Sequence, residues 1–154
     1  MMRTNDGLPI QLTANAHEQL IAHCRSTLPN EGCGLLISTN LDTPTMIDTI
    51  HPIANAHPHP LSSFSFDPAG WISALYRLQR NNQQLVGYYH SHPRSLPIPS
   101  SSDSLGTMSQ AGAITLIVSF STSQPNMRAY WKPSDEWLPV ALTIESSSDN
   151  QKAD

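Results

Sequence analysis

His90 and His92, two positions apart, and Asp103, eleven positions beyond His92, are the residues of this chain best suited to chemistry. The run Leu85 to Ser91 reads as a strand that leads straight into the His-Ser-His-Pro segment. Side chains alternate across a strand, so residues i and i+2 share a face. Two imidazoles at that spacing can converge on one ion without distorting the backbone. A third ligand has to return from elsewhere, and the stiff loop Pro93-Arg94-Ser95-Leu96-Pro97-Ile98-Pro99 can turn the chain to bring back Asp103. Two neutral imidazoles and a carboxylate suit zinc, and three protein ligands leave the fourth tetrahedral position open for water. Each residue alone has a plainer reading: a strand histidine as a surface or satisfied core group, Asp103 as a helix N-cap.

Other candidates carry less. Cys33, two positions from Glu31, invites a thiol-nucleophile or fourth-ligand reading, but a small buried residue beside a glycine fits better. His51, His57 and His59 lie in a proline-rich loop, and His57-x-His59 repeats the ligand spacing. No acid follows them at a matching distance, so a second metal site is disfavoured and the loop is expected to border a substrate groove. Trp71, Tyr88 and Tyr89 read as packing.

The elements that must position these residues follow from periodicity and punctuation. Leu8 to Leu12 reads as a short strand, and Thr13 as the N-cap of a helix with Ala16, Leu20, Ile21, Cys24 and Leu28 on one face. Gly34 to Ser38 reads as a buried strand with Thr45 to Ile53 as its hairpin partner. Asp67-Pro68 starts a second helix, with Trp71, Leu75 and Leu78 at helical spacing through Arg80. After Leu85 to Ser91, a short helix is expected over 103–110, and strands over Ala113 to Phe120, Met127 to Lys132 and Trp137 to Ile144. Two main helices around one mixed sheet make an α/β or α+β domain over residues 1–145, with 146–154 a polar, disordered tail.

Composition narrows the function classes. The 154 residues are enough for one domain with one real core. A formal charge of −4 with no Lys/Arg cluster disfavours nucleic acid. No run of apolar residues is long enough to span a membrane, and Met1 to Asn15 lacks the apolar region of a secretory signal. Only two cysteines are present, which fits a reducing compartment, so a cytoplasmic location is expected.

Taken together the residues form His90-x-His92-x7-Ser100-x2-Asp103, preceded by Glu31. In this pattern the chain resembles the JAMM (MPN-plus) zinc metallopeptidase family, whose signature is an upstream glutamate, His-x-His, seven residues, Ser, two residues and Asp. Pro93 matches as well, as do Leu28-Pro29-Asn30-Glu31-Gly32-Cys33-Gly34-Leu35-Leu36, Phe64 to Pro68, and Gly87 to Pro93. The resemblance spans residues 12–145 and is nearest to the compact prokaryotic branch. The chain lacks room for the insertions of the large deubiquitinating members, and Ser91 and Arg94 replace residues that mark the DNA-repair-associated branch.

The resemblance implies a JAMM/cytidine-deaminase-like fold, with zinc on His90, His92 and Asp103. It makes Glu31 the general base and Ser100 a donor to the oxyanion. It further implies hydrolysis of an amide at the C-terminus of a ubiquitin-like sulfur-carrier protein or of a peptide. A non-catalytic MPN-type scaffold is the competing reading, although such relatives usually lose ligands and this chain keeps all the motif residues. A deaminase would need a Pro-Cys-x-x-Cys run, which is absent.

Overall fold

The computed structural model describes residues 7–101, 103 and 113–146. Beyond Asp103, which is helical, the expected helix over 103–110 lies outside the described residues, as does the expected tail after Ser146. In chain order the elements are β1 (Ile10–Leu12), α1 (Ala14–Ser26), β2 (Cys33–Ser38), β3 (Met46–Ile47), β4 (Thr49–Ile53) and α2 (Pro68–Arg80). They continue with β5 (Gln84–His92), β6 (Ile114–Ser119), β7 (Asn126–Trp131), β8 (Leu138–Val140) and β9 (Leu142–Ile144). The main sheet runs β4-β2-β5-β6-β7-β8, with β5 and β6 parallel and every other neighbouring pair antiparallel. The expected mixed sheet and two helices are therefore present. Beside them stands a small parallel sheet, β3-β1-β9, which sequence reading did not resolve.

Two segments read as single strands are divided between the sheets. Thr45 to Ile53 breaks at Asp48, whose carboxylate accepts from the Thr39 backbone N–H and hydroxyl. Met46–Ile47 then joins β1, while Thr49–Ile53 pairs with β2. A side chain that satisfies neighbouring backbone competes with ladder pairing and lets the chain change sheets. Trp137 to Ile144 divides at Ala141, whose carbonyl accepts from Ile10 N: Leu138–Val140 pairs with β7 and Leu142–Ile144 with β1.

Local chemistry explains both helices. The Thr13 hydroxyl accepts from Ala16 N at 3.1 Å, and α1 buries Ala16, Leu20 and Cys24 at intervals of four. Leu28 falls beyond the helix and is exposed. The Asp67 side chain accepts from Gly70 N at 2.9 Å, with Pro68 in the first helical turn of α2. The buried face of α2 is Ala74 and Leu78, with Trp71 stacked on Phe66, so Leu75 lies off that stripe and is exposed.

The helices cover opposite faces of the main sheet. Leu36, Val86, Tyr89 and Leu116 pack with α1, whereas Leu35, Ile37, Leu85 and Tyr88 pack with α2. Alternation along β5 slips at one point: Ile37 pairs with Leu85 and Leu36 with Gly87, leaving Val86 as the extra residue of a bulge. The slip lets Leu85, three residues before Tyr88, share the α2 face with it. Gly87 completes the bulge, since a Cβ there would lie 2.1 Å from the Ile114 carbonyl oxygen of β6.

Gly87→Ala is therefore expected to cost at least about 2 kcal/mol, because backbone rather than a flexible side chain must move. The urea midpoint measures this; an unchanged midpoint would contradict the close approach of β5 and β6.

Candidate metal centre

Strand β5 runs down the middle of the sheet and ends on His90 and His92, both buried. The His90 ring stacks on Phe64, with centroids 4.5 Å apart and planes 21° from parallel. His92 is oriented by a hydrogen bond instead: its Nδ1 lies 2.8 Å from Leu96 O. A carbonyl can only accept, so Nδ1 carries the proton and a neutral His92 presents a bare lone pair at Nε2.

The loop that leaves β5 is pinned from beneath. Ser119 Oγ donates to Ser95 O at 2.6 Å and Tyr130 Oη to Pro97 O at 2.6 Å, flanking the bond from His92 to Leu96 O. The chain then delivers Asp103. Its carboxylate accepts from Ser100 N at 2.8 Å, and Asp103 N donates to Ser100 Oγ at 3.3 Å, a reciprocal pair in the manner of a capping box. The sequence suggests Asp103 as the N-cap of a short helix; here Ser100 takes the cap position and Asp103 stands three residues into the turn.

Glu31 arrives on the loop between α1 and β2. Its N–H donates to Pro60 O at 2.8 Å, and its carbonyl accepts from Asn55 Nδ2 at 3.0 Å. The next residue is clamped to β5, with Gly32 N donating to Ser91 Oγ at 2.8 Å and Ser91 N to Gly32 O at 2.9 Å. The side chains of Glu31, His90, His92 and Asp103 meet in one buried cluster, each offering a ligand atom within 4.8 Å of the others.

Proton counting tests whether these groups fit a cation. His90 Nε2 and His92 Nε2 are 3.2 Å apart, and each lies 3.1 Å from an oxygen of Asp103. Asp103 Oδ1 and Glu31 Oε1 are buried without a hydrogen-bond partner, so the 3.1 Å approach of His90 to Oδ1 is proximity and not a hydrogen bond. Electron pairs from two rings and two carboxylates thus face one another with too few protons between them. A divalent cation resolves that arrangement, and the nitrogen and oxygen donors are those zinc accepts.

The titration behaviour has the same origin. Burial lowers the His90 pKa, with Asp103 pulling the other way. Burial opposes charge on His92 too, but Asp103 and the Leu96 carbonyl outweigh it and the pKa rises. Burial alone would raise the Asp103 pKa; the two imidazoles hold it well below the usual carboxylate range instead. Burial pushes the Glu31 carboxyl up to about 7, against the influence of His92 and with that of Asp103.

An open groove of about 820 Å³ leads to the cluster, and Glu31, His92 and Ser100 line it together with Pro93 to Leu96, Ile98 and Leu61. The His57–His59 loop contributes Leu61 and Ser62 to that groove rather than its histidines. Neither His57 nor His59 belongs to the metal-capable group found among the described residues. Cys33 is fully buried, donates to Ile53 O, and has its thiol pushed up to about 12, mainly by burial. That excludes it as a nucleophile at neutral pH.

Sequence reading missed Ser91, Phe64, Ser119 and Tyr130 as supports of the site. Ser91 alone had a usable signal: the alternation that puts His90 and His92 on one face puts the residue between them on the other.

Comparisons with known proteins place these features in a wider set. Residues 13–132 match the family described as prokaryotic homologs of the JAB domain. A desampylase of Haloferax volcanii is 30% identical over 140 residues, covering 88% of this chain and 96% of that protein. A probable TtuB-protein conjugate cleaving protease of Thermus thermophilus is 32% identical over 97 residues, covering 63% of this chain and 62% of that one. The solution structure of a Desulfitobacterium hafniense protein superposes with a TM-score of 0.79 at 27% identity, covering 90% of this chain and 94% of that one.

Ser91→Ala removes the buried acceptor for Gly32 N and is expected to cost about 1–3 kcal/mol. It should also speed hydrogen exchange at the Gly32 amide by a large factor. Unchanged exchange at that amide would show that the clamp does not hold the Glu31 loop.

Proposed function

The chain belongs to the family of prokaryotic homologs of the JAB domain, and from that premise we propose that it is a zinc metallopeptidase acting on ubiquitin-like sulfur-carrier proteins. Its reaction is hydrolysis of the isopeptide or peptide bond at the carrier's flexible C-terminal tail. The similarity to a desampylase and to a conjugate cleaving protease supports the substrate class. The observation that carries the reading is the buried convergence of Glu31, His90, His92 and Asp103 beside an open groove.

In this proposal His90 and His92, through Nε2, and Asp103, through its carboxylate, hold a single zinc ion. Bound there, zinc supplies Lewis acidity and makes water acidic enough to lose a proton near neutral pH. Glu31 lies in the same cluster and lines the groove, so its carboxylate is placed to take a proton there and give it up again. It accepts the proton of the attacking water and returns it to the leaving amine. Ser100 lines the groove and donates from Oγ to the oxygen of the scissile carbonyl, where negative charge grows in the transition state. The Leu96 carbonyl fixes the tautomer of His92, and Phe64 fixes the plane of His90.

The proposal places this enzyme in the cytoplasm, acting on protein tails, with residues 1–145 as its catalytic domain. Both cysteines are free thiols. No helix among the described residues is long and apolar enough to cross a membrane.

Glu31→Gln keeps the shape of the side chain and removes its basicity. Hydrolysis of a carrier protein extended past its terminal glycines is expected to fall about 10²–10⁴-fold in this variant, with zinc retained. Full turnover by the zinc-loaded variant would assign the proton transfer to another group.

A further inference from the structure

The loop 93–99 does more than return Asp103 to the cluster. Three successive carbonyls, those of Ser95, Leu96 and Pro97, accept from Ser119, His92 and Tyr130. Pro93, Pro97 and Pro99 restrict φ along the same stretch. With the backbone held at both levels, the directions of the intervening side chains are set in advance. Arg94, Ser95, Leu96 and Ile98 are exposed, Pro97 is buried, and all four exposed residues line the groove; Arg94, Leu96 and Ile98 carry its charge and its apolar surface.

Two properties of this wall point to a ligand. Leu96 is 58% exposed and Ile98 55%, and Leu61, 59% exposed, lines the same groove from the segment that follows β4, the strand to which His51 belongs. Aliphatic side chains gathered at one cavity mouth mark a binding surface, whereas scattered ones do not. The second property is charge. Arg94 has no carboxylate partner among the described residues, although the chain carries 12 acids against 8 lysines and arginines. A guanidinium with no carboxylate partner among the described residues, on the groove that leads to the cluster, presents its fork of donors to whatever enters, and that fork matches a carboxylate.

We infer that Arg94, Leu96 and Ile98 form the specificity-determining wall of the groove: Leu96, Ile98 and Leu61 receive an apolar side chain of an extended tail, and Arg94 binds a carboxylate next to it. This rests on the reading of the groove as a peptide site. The carboxylate comes either from the terminus of the tail or from an acidic side chain, and the two are separable by probe.

Binding to the zinc-loaded Glu31→Gln protein tests the wall without turnover. The probes are fluorescein-labelled Gly-Gly-Leu as free acid, the same peptide as C-terminal amide, and Gly-Gly-Leu-Asp as amide, each followed by fluorescence anisotropy. At least one carboxylate-bearing probe is expected to bind about tenfold tighter than the Gly-Gly-Leu amide, the size of one charge-assisted contact. Preference for the free acid alone assigns the terminus; preference for the Asp probe alone assigns a side chain; both together assign the carboxylate irrespective of source. Adding Arg94→Gln should bring the ratio to about one, and Arg94→Glu should turn the preference toward a Gly-Gly-Leu-Lys amide. Equal binding of acid and amide, a ratio that survives Arg94→Gln, or no binding of any probe overturns the inference. A binding preference that stands while unaltered zinc-loaded protein cleaves no carrier fusion would count against the proposed activity and not against the wall.

Discussion

Four ionisable groups, two imidazoles and two carboxylates, are held together in a buried cluster at the end of the central strand, and the rest of the fold is arranged to keep them there. Two imidazole nitrogens and two carboxylates meet without enough hydrogen to mediate between them. Burying such a set is costly unless a cation or shared protons compensate. The restraint is visible in every direction from the cluster. His92 is tied to Leu96, His90 lies against Phe64, Asp103 is locked to Ser100, and the Glu31 loop is stitched to Pro60, Asn55 and Ser91. No one of these contacts is strong alone. Together they leave the four groups little freedom to separate, which is the preorganisation that a metal site or a catalytic constellation needs.

The sheet supplies the rigid floor. Strands β5 and β6 are the parallel pair at its centre, and β6 is buried from end to end, as expected where helices or loops cover both faces. Pairing with β2 sets which face the histidines use: His90 lies opposite Cys33 and Tyr88 opposite Leu35, both on the α2 side. The bulge at Val86 lets Leu85, three residues before Tyr88, share that face. Gly87 makes the bulge compatible with close packing on Ile114.

Much of this was legible in the sequence, for identifiable reasons. The two-residue spacing of His90 and His92 encodes a shared face, Thr13 and Asp67-Pro68 encode helix starts, and the run Ala113 to Phe120 encodes a strand buried on both sides. What could not be read depends on partners distant in sequence. The bulge exists only opposite Leu36 and Ile37, the breaks at Asp48 and Ala141 depend on pairing with β1, and Tyr130 reaches Pro97 across 33 positions. Leu75 was misplaced because a spacing of four from Trp71 competes with the stripe of Ala74 and Leu78, and only packing chooses between them. The four clustered residues were recognisable from motif spacing, whereas the contacts that aim them came from residues of ordinary type.

The most direct test of the account is zinc titration of metal-stripped protein against a chromogenic chelator, repeated with His90→Ala and Asp103→Ala. The account predicts a single tight equivalent in the unaltered chain, lost in both variants while each stays folded by circular dichroism. Zinc binding of undiminished strength in both folded variants would place the metal elsewhere and contradict the central claim.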